Sequence, residues 1–238
     1  NESYPNFKDK ELSERLFNEI IKNTNIKTTI FKRDYSKKFT TLATEEYVMC
    51  NKYNNSFQNQ DLNEYLRENN CWINNIENYK IYIHSYKKKF FDRYKRYNAY
   101  FDKILFYEDL VAEGIKNCPW NDVGSCDYDV VDNMNNLIGL SEKNKFVIFL
   151  TLNNHLGLIN KTYDEPLFDC KDNFTLQINY DFCLLYNNQL KFNQSVNNFL
   201  KNMNKMDILI MLGDTPPMFN SKLRKYFREK TNVYVFEK

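Results

Sequence analysis

Asp207-Ile208-Leu209-Ile210-Met211-Leu212-Gly213-Asp214-Thr215-Pro216-Pro217-Met218-Phe219 sets five consecutive apolar residues directly before a turn that no strand can continue through. Gly213 and the two prolines stop the pairing, so Asp214 and Thr215 fall at the carboxyl end of a strand. Two other runs have the same form. Phe146 to Leu150, within Lys145 to Leu152, leads into Asn153-Asn154-His155, and Tyr79-Lys80-Ile81-Tyr82-Ile83 leads into His84. Short runs of this kind fill a parallel sheet covered on both faces.

Helical spacing separates these runs. Leu12, Leu16, Phe17, Ile20 and Ile21 form one amphipathic face, and Phe90, Phe91, Tyr94 and Tyr97 another. Asp129 to Leu140 repeats the pattern through Val130, Met134, Leu137 and Ile138, and a long helix is expected from Tyr180 to Met203. Shorter helices are expected near Ala43 to Cys50, Asp61 to Leu66 and Leu223 to Phe227. Thr28 to Phe31, Lys103 to Phe106 and Val233 to Phe236 read as further strands. Strands alternating with helices specify an α/β fold, a three-layer sandwich with a mostly parallel central sheet. That sheet should contain Tyr79 to Ile83, Phe146 to Leu150 and Ile208 to Leu212. A length of 238 residues suits one domain, 1–238.

The 42% apolar content supports an ordered core, and 33 Lys plus Arg against 31 Asp plus Glu leave a net charge of +2. That balance gives no reason to expect the broad basic footprint of a nucleic-acid binder. Tyr86-Lys87-Lys88-Lys89 is the densest basic run and reads as a solvated helix face, with an anionic ligand as the alternative. No stretch reaches the roughly 18 apolar residues of a membrane helix. The chain opens at Asn1, directly on a candidate site residue, so an upstream segment that includes the first strand of the fold is expected.

Cys50, Cys71, Cys118, Cys126, Cys170 and Cys183 form no Cys-x-x-Cys motif, and with two histidines in the chain a mixed Cys/His zinc site is not indicated. An all-cysteine site stays open. Six cysteines admit fifteen connectivities, and spacing selects none of them. Sequential pairing, Cys50 with Cys71, Cys118 with Cys126 and Cys170 with Cys183, is the expectation, and it would place the domain outside the cytoplasm. The alternative is six buried thiols in a cytosolic protein.

In open α/β sheets, ligands gather at the carboxyl ends of strands. Glu2, His84, His155 and Asp214 all fall there. A divalent cation held by Glu2 and Asp214 would lower the pKa of a threonine hydroxyl such as Thr41 and make it a nucleophile. His84, Arg93 and His155 could offset charge on a transferring phosphoryl group. Spacing alone does not separate Thr41 from Thr40 or Thr44. The bland alternative makes Asp214 a turn cap and the histidines ordinary buried side chains.

These segments, in order, resemble the catalytic domain of the sulfatase-like, alkaline-phosphatase-superfamily membrane transferases, the phosphoethanolamine and phosphoglycerol transferases. Glu2-Ser3 matches the family's metal-binding Glu-Ser, and Phe39-Thr40-Thr41 with Glu45 and Cys50 its Gly-x-Thr nucleophile segment. Ile83-His84-Ser85-Tyr86 with Asp92-Arg93 matches a substrate-facing segment. Cys118-Pro119-Trp120 with Gly124-Ser125-Cys126-Asp127 matches a cysteine-containing connection. Thr151-Leu152-Asn153-Asn154-His155 and Leu212-Gly213-Asp214-Thr215-Pro216-Pro217-Met218-Phe219 complete the series.

The resemblance implies an alkaline-phosphatase-like fold and a Thr41 nucleophile. Glu2, Thr41 and Asp214 would hold Zn2+ (or Mn2+/Mg2+), while His84, Arg93 and His155 would bind the substrate phosphate. It further implies a phospholipid headgroup donor, a glycan or lipid acceptor, no nucleic acid, and a periplasmic or extracellular location with membrane attachment through an upstream segment. Two positions depart from the family pattern. Thr215 stands where a metal-ligand histidine is usual, leaving a weak or vacant fourth position, and Phe39 replaces the small glycine before the nucleophile. A noncatalytic sulfatase-like binding domain and a phosphate- or sulfate-ester hydrolase are the alternatives.

Overall fold

The computed structural model describes residues 8–34, 45, 48–50, 71–118, 121–139, 144–152, 167–172, 180–205, 207–212 and 230–238. The first helix, α1 (Lys10–Ile21), begins where the Asp9 carboxylate accepts the Leu12 amide at 3.1 Å, an N-cap that satisfies one of the free first-turn donors. Leu12, Leu16 and Ile20 are its buried stripe, spaced as the sequence requires. Its carboxyl end is closed by a neighbour. The Asn197 side-chain amide donates to the carbonyls of Ile20 and Lys22 at 2.6 and 2.8 Å, and Asn193 donates to Leu16 at 2.8 Å. Both asparagines lie on α6 (Tyr180–Asn202), the long helix expected from the sequence, so its polar residues serve the α1 backbone instead of facing water.

A parallel sheet lies at the centre, ordered β3 (Lys103–Leu105), β2 (Tyr79–His84), β6 (Lys145–Leu150). In register, Tyr79 faces Lys145 and His84 faces Leu150. Alternation along β2 sends Ile81 and Ile83 to one face and Tyr82 to the other. The first face packs on Leu110 of α3 (Tyr107–Ala112), Val130 of α4 (Asp127–Asp132), and Met134 and Leu137 of α5 (Met134–Ile138). The second packs on Tyr97 of α2 (Arg93–Tyr97), Phe101, Phe106 and the Cys50–Cys71 disulfide. Helices flank both faces of this sheet, as expected of an α/β domain.

The strand from Ile208 departs from expectation. It forms β7 (Ile208–Leu212), and among the described residues it pairs antiparallel with β8 (Lys230–Glu237), not with the parallel sheet. Its partner β8 also pairs antiparallel with β1 (Lys27–Asp34), which gives a second sheet ordered β1-β8-β7. The domain is therefore mixed, and the mostly parallel single sheet is corrected. Tyr234 and Phe236 of β8 bury against Ile20 of α1 and Phe192, Val196 and Leu200 of α6, while Phe31, Ile208 and Ile210 stay exposed.

Two local features also differ. The polar connection expected around Cys118 is a hairpin of β4 (Asn117–Cys118) and β5 (Asn121–Ser125), closed by the Cys118–Cys126 disulfide. The helix expected over Asp129 to Leu140 breaks at Asn133, whose side-chain amide donates to the Asp129 carbonyl at 2.9 Å, the local competition that weakens Asn within helices. It then stops at Gly139, where φ is +70°. Cys170 pairs with Cys183, so all three sequential disulfides are present and no free cysteine is found among the described residues.

Candidate functional site

The carboxyl end of β2 carries His84, and β2 is the central strand of the parallel sheet. That is the rim at which α/β folds place ligands. The imidazole is 3% exposed, and its Nδ1 lies 3.0 Å from the Leu150 carbonyl at the end of β6. A carbonyl only accepts, so Nδ1 carries the proton and Nε2 presents a lone pair. Among the described residues that buried Nε2 has no hydrogen-bond partner. Burial holds the His84 pKa well below its ordinary value, and the Arg93 charge pushes it the same way, against a smaller upward pull from the Leu150 hydrogen bond. The ring is neutral at pH 7.

The ends of β2 and β6 are fixed by one carboxylate. Asp127, at the start of α4 and 2% exposed, accepts the Ser85 hydroxyl at 2.6 Å and the Leu152 amide at 2.7 Å. Ser85 in turn gives its carbonyl to the Ser125 amide at 2.9 Å, and Tyr86 forms an isolated bridge with Gly124. The β4–β5 hairpin is thereby sewn to the strand that presents His84. Two short charge-assisted bonds to a buried carboxylate are strong constraints on that geometry.

Arg93 is held by Glu45. Its Nη2 donates to Glu45 Oε1 at 2.7 Å and its Nε to both carboxylate oxygens at 3.2 and 3.3 Å. The hydroxyls of Tyr82 and Tyr97 also donate to Glu45 Oε2, at 3.0 and 2.8 Å. Burial alone would lower the Arg93 pKa, yet the adjacent carboxylate holds it well above its ordinary value. Burial and Glu45 raise both phenols well above theirs, so each stays a donor. Glu45 stands four residues after Thr41 in the chain, so this buried cluster ties a point just past the candidate nucleophile to the centre of the sheet.

Of the residues expected to act, the structure thus brings His84 and Arg93 into one neighbourhood, close enough for the guanidinium charge to act on the imidazole. Glu2, Thr41, His155, Asp214 and Thr215 lie outside the described residues, as does Phe39. Among the described residues no cluster of three or more His, Cys, Asp or Glu could hold a metal ion. The sequence reading gave no role to Glu45 or Asp127. Glu45 had a usable signal, a carboxylate one helical turn past Thr41, and Asp127 had the helix start after Cys126.

No protein-family model matches the chain, and no curated protein matches its sequence. Solved structures do match its fold. The lipoteichoic acid synthase LtaP from Listeria monocytogenes superposes with a TM-score of 0.62 at 12% identity, over 100% of this chain and 62% of that one. The Streptococcus pyogenes phosphoglycerol transferase GacH, in complex with sn-glycerol-1-phosphate, gives a TM-score of 0.57 at 19% identity, over 87% of this chain and 58% of that one. The chain spans about three fifths of the length of these two structures. The expected α/β fold is borne out as a likeness to the fold of these two structures, with mixed sheets in place of one mostly parallel sheet.

Proposed function

We propose that the chain is the catalytic core of a transferase facing the outside of a cell membrane. It would move a phosphorus-containing headgroup, of the phosphoglycerol or phosphoethanolamine type, from a lipid donor to a glycan or lipid acceptor. The observation that carries the reading is the fold likeness to LtaP and GacH, which runs along nearly the whole chain. The three disulfides agree with an extracytoplasmic location. No described helix is long and apolar enough to cross a membrane.

In this reading the Thr41 hydroxyl attacks the donor phosphorus, the P–O bond to the lipid breaks, and the lipid oxygen leaves with a proton. The acceptor hydroxyl then attacks the phosphorus of the Thr41 ester, loses its proton, and frees Thr41. His84, at the end of β2, and Arg93 would face this region, and His155 would join them. Glu2, Thr41 and Asp214 would hold the divalent cation, whose chemistry is to acidify the threonine hydroxyl and draw charge off the phosphoryl oxygens. With Thr215 in place of an imidazole this donor set is all oxygen, which suits Mn2+ or Mg2+ better than Zn2+.

Thr215 is also the observation that favours a second reading, a noncatalytic domain of the same fold that binds a surface glycan or an assembly protein. One set of measurements separates the two. Protein incubated with phosphatidylglycerol or phosphatidylethanolamine vesicles and Mn2+ should carry a covalent headgroup phosphate on Thr41 by peptide mass spectrometry, absent in Thr41→Ala. Calorimetry should show tighter zinc binding in Thr215→His than in the native chain, and none in Asp214→Ala. If Thr215→His binds zinc no better than Asp214→Ala, the metal site is wrong. If affinity rises and no donor labels Thr41, the noncatalytic reading replaces the transferase.

A further inference from the structure

The chain leaving β2 runs straight to the surface as Tyr86-Lys87-Lys88-Lys89-Phe90 and returns through Asp92, Arg93, Tyr94 and Lys95. Phe90 and Tyr94 are each 40% exposed, a high value for large aromatic side chains. They are the outer members of a ring system that begins at the buried imidazole. His84 lies 6.3 Å from Tyr86, which meets Phe90 edge-on at 4.5 Å. On the other side His84 lies 6.2 Å from Phe106, which meets Tyr94 at 6.4 Å. Two short chains of rings therefore connect the strand-end histidine to solvent.

Lysines surround the exposed ends. The Lys88 ammonium sits 3.7 Å from the centroid of the Tyr94 ring, and Lys87, Lys89 and Lys95 are exposed. Facing them are Asp92, 3.8 Å from Lys95, and Glu108, which accepts the Lys88 amide proton at 3.0 Å. Four ammoniums against two carboxylates leave the ledge positive, with the Arg93 charge already matched by Glu45.

Exposed rings set among lysines have a specific physical match. Amphipathic rings settle at headgroup depth in a bilayer, and ammoniums beside them meet the phosphates of anionic lipids. A neutral glycan would use the rings but leave the ammoniums unmatched. A nucleic acid would call for a wider basic surface than a chain of net charge +2 offers. We infer that the ledge formed by residues 86–95 docks on the surface of an anionic lipid bilayer, with Phe90 and Tyr94 at headgroup level and Lys87, Lys88, Lys89 and Lys95 against lipid phosphates. The contact turns the His84 end of the parallel sheet toward the bilayer. It requires no chemistry at Thr41, so it stands or falls separately from the transferase reading.

The test is co-sedimentation of the purified chain with vesicles of phosphatidylcholine alone or with added phosphatidylglycerol, at low and high salt. Binding is expected only to the vesicles with phosphatidylglycerol, and should weaken as salt screens the lysines. Each lysine near such a surface is worth roughly fivefold in partition, so Lys87→Glu/Lys89→Glu should lose roughly 25-fold or more. Lys201→Glu/Lys205→Glu makes the same change of net charge at two exposed lysines near the end of α6, and should stay within about twofold of the native chain. Phe90→Ser/Tyr94→Ser should lose binding that persists at high salt, with circular dichroism confirming the fold. Equal loss in the two lysine pairs would overturn the inference, as would full binding by Lys87→Glu/Lys89→Glu or no preference for phosphatidylglycerol.

Discussion

Replacing Glu45 with alanine should be among the most destabilising single changes in the described part of the chain. The carboxylate accepts hydrogen bonds from Arg93, Tyr82 and Tyr97, and the side chains of the ion pair are 2% and 7% exposed. Removing one member of a buried pair leaves the other charge without compensation, at a cost of about 3–5 kcal/mol. Orphaning two phenol hydroxyls adds on the order of 1 kcal/mol each, though terms within one network do not add fully. About 5 kcal/mol is therefore expected for Glu45→Ala, a large part of the roughly 5–15 kcal/mol that holds a domain together. For a chain of this length that corresponds to a fall in melting temperature of about 10–20 °C. Glu45→Gln keeps the shape and loses the charge, and should cost less. Glu45→Leu/Arg93→Met removes both charges and should be more stable than either single variant. Urea unfolding under nonreducing conditions can be followed by tryptophan fluorescence in a Trp120→Phe background, where Trp72 reads this region, since it donates to the Val48 carbonyl and packs edge-on against Phe146. A loss below about 1 kcal/mol for Glu45→Ala, or a double variant that costs the sum of the two singles, would refute the coupled-network argument.

The folded His84 pKa lies below the unfolded value of about 6.5, so the unfolded chain takes up the proton first. Stability should be intact above pH ~6.5 and decline as pH falls through that value toward the folded pKa, and His84→Gln should remove this slope in urea titrations. The buried phenols work in the opposite sense: their folded pKa values are raised, so stability is complete below pH ~10 and is lost above it, which absorbance at 295 nm should show as a cooperative rise. Asp127→Ala should cost about 3 kcal/mol and speed hydrogen exchange at the Leu152 amide, because two bonds to a charged acceptor are lost. Loss of the Cys50–Cys71 disulfide, which closes the loop with sequence separation 21, should cost about 3 kcal/mol on the chain-entropy account, measured by thermal unfolding of the double serine variant.

The sequence was most legible where local chemistry and tertiary fate agree. β2 and β6 are dense in aromatic and β-branched residues and lie in the parallel sheet as expected. The Leu12, Leu16, Ile20 spacing gave α1 almost to its ends. β7 shows where such reading stops. Five apolar residues in a row specify a strand, but its pairing depends on β8, a distant stretch of chain, and Ile208 and Ile210 end up exposed. The β4–β5 hairpin escaped because Pro119 and Gly124 mask any alternation, and what holds it is nonlocal: a disulfide and the contacts to Ser85 and Tyr86. The site divides in the same way. A polar residue at the end of an apolar strand pointed to His84. Nothing in the local sequence reveals that Glu45 meets Tyr97 across a separation of 52 residues.

That hidden network changes what the legible residues can do. A guanidinium near a phosphate site is ordinarily the obvious source of positive charge, but here Glu45 already takes two of the nitrogens of Arg93 and matches its charge. The imidazole has the complementary handicap. With its proton committed to the Leu150 carbonyl, His84 keeps a lone pair on Nε2, and a lone pair repels a phosphate oxygen. The two facts resolve in one way if His84 contacts the transferring group. An arriving phosphate anion raises the imidazole pKa, Nε2 takes a proton, and positive charge at His84 is created only while the anion is present. Without an anion the same ring stays neutral, and its Nε2, which has no partner among the described residues, can instead accept from a hydroxyl, the group that an acceptor glycan or lipid offers. His84 would then meet the two halves of a transfer in two protonation states, and burial, with the Arg93 charge beside it, is what keeps the resting state neutral.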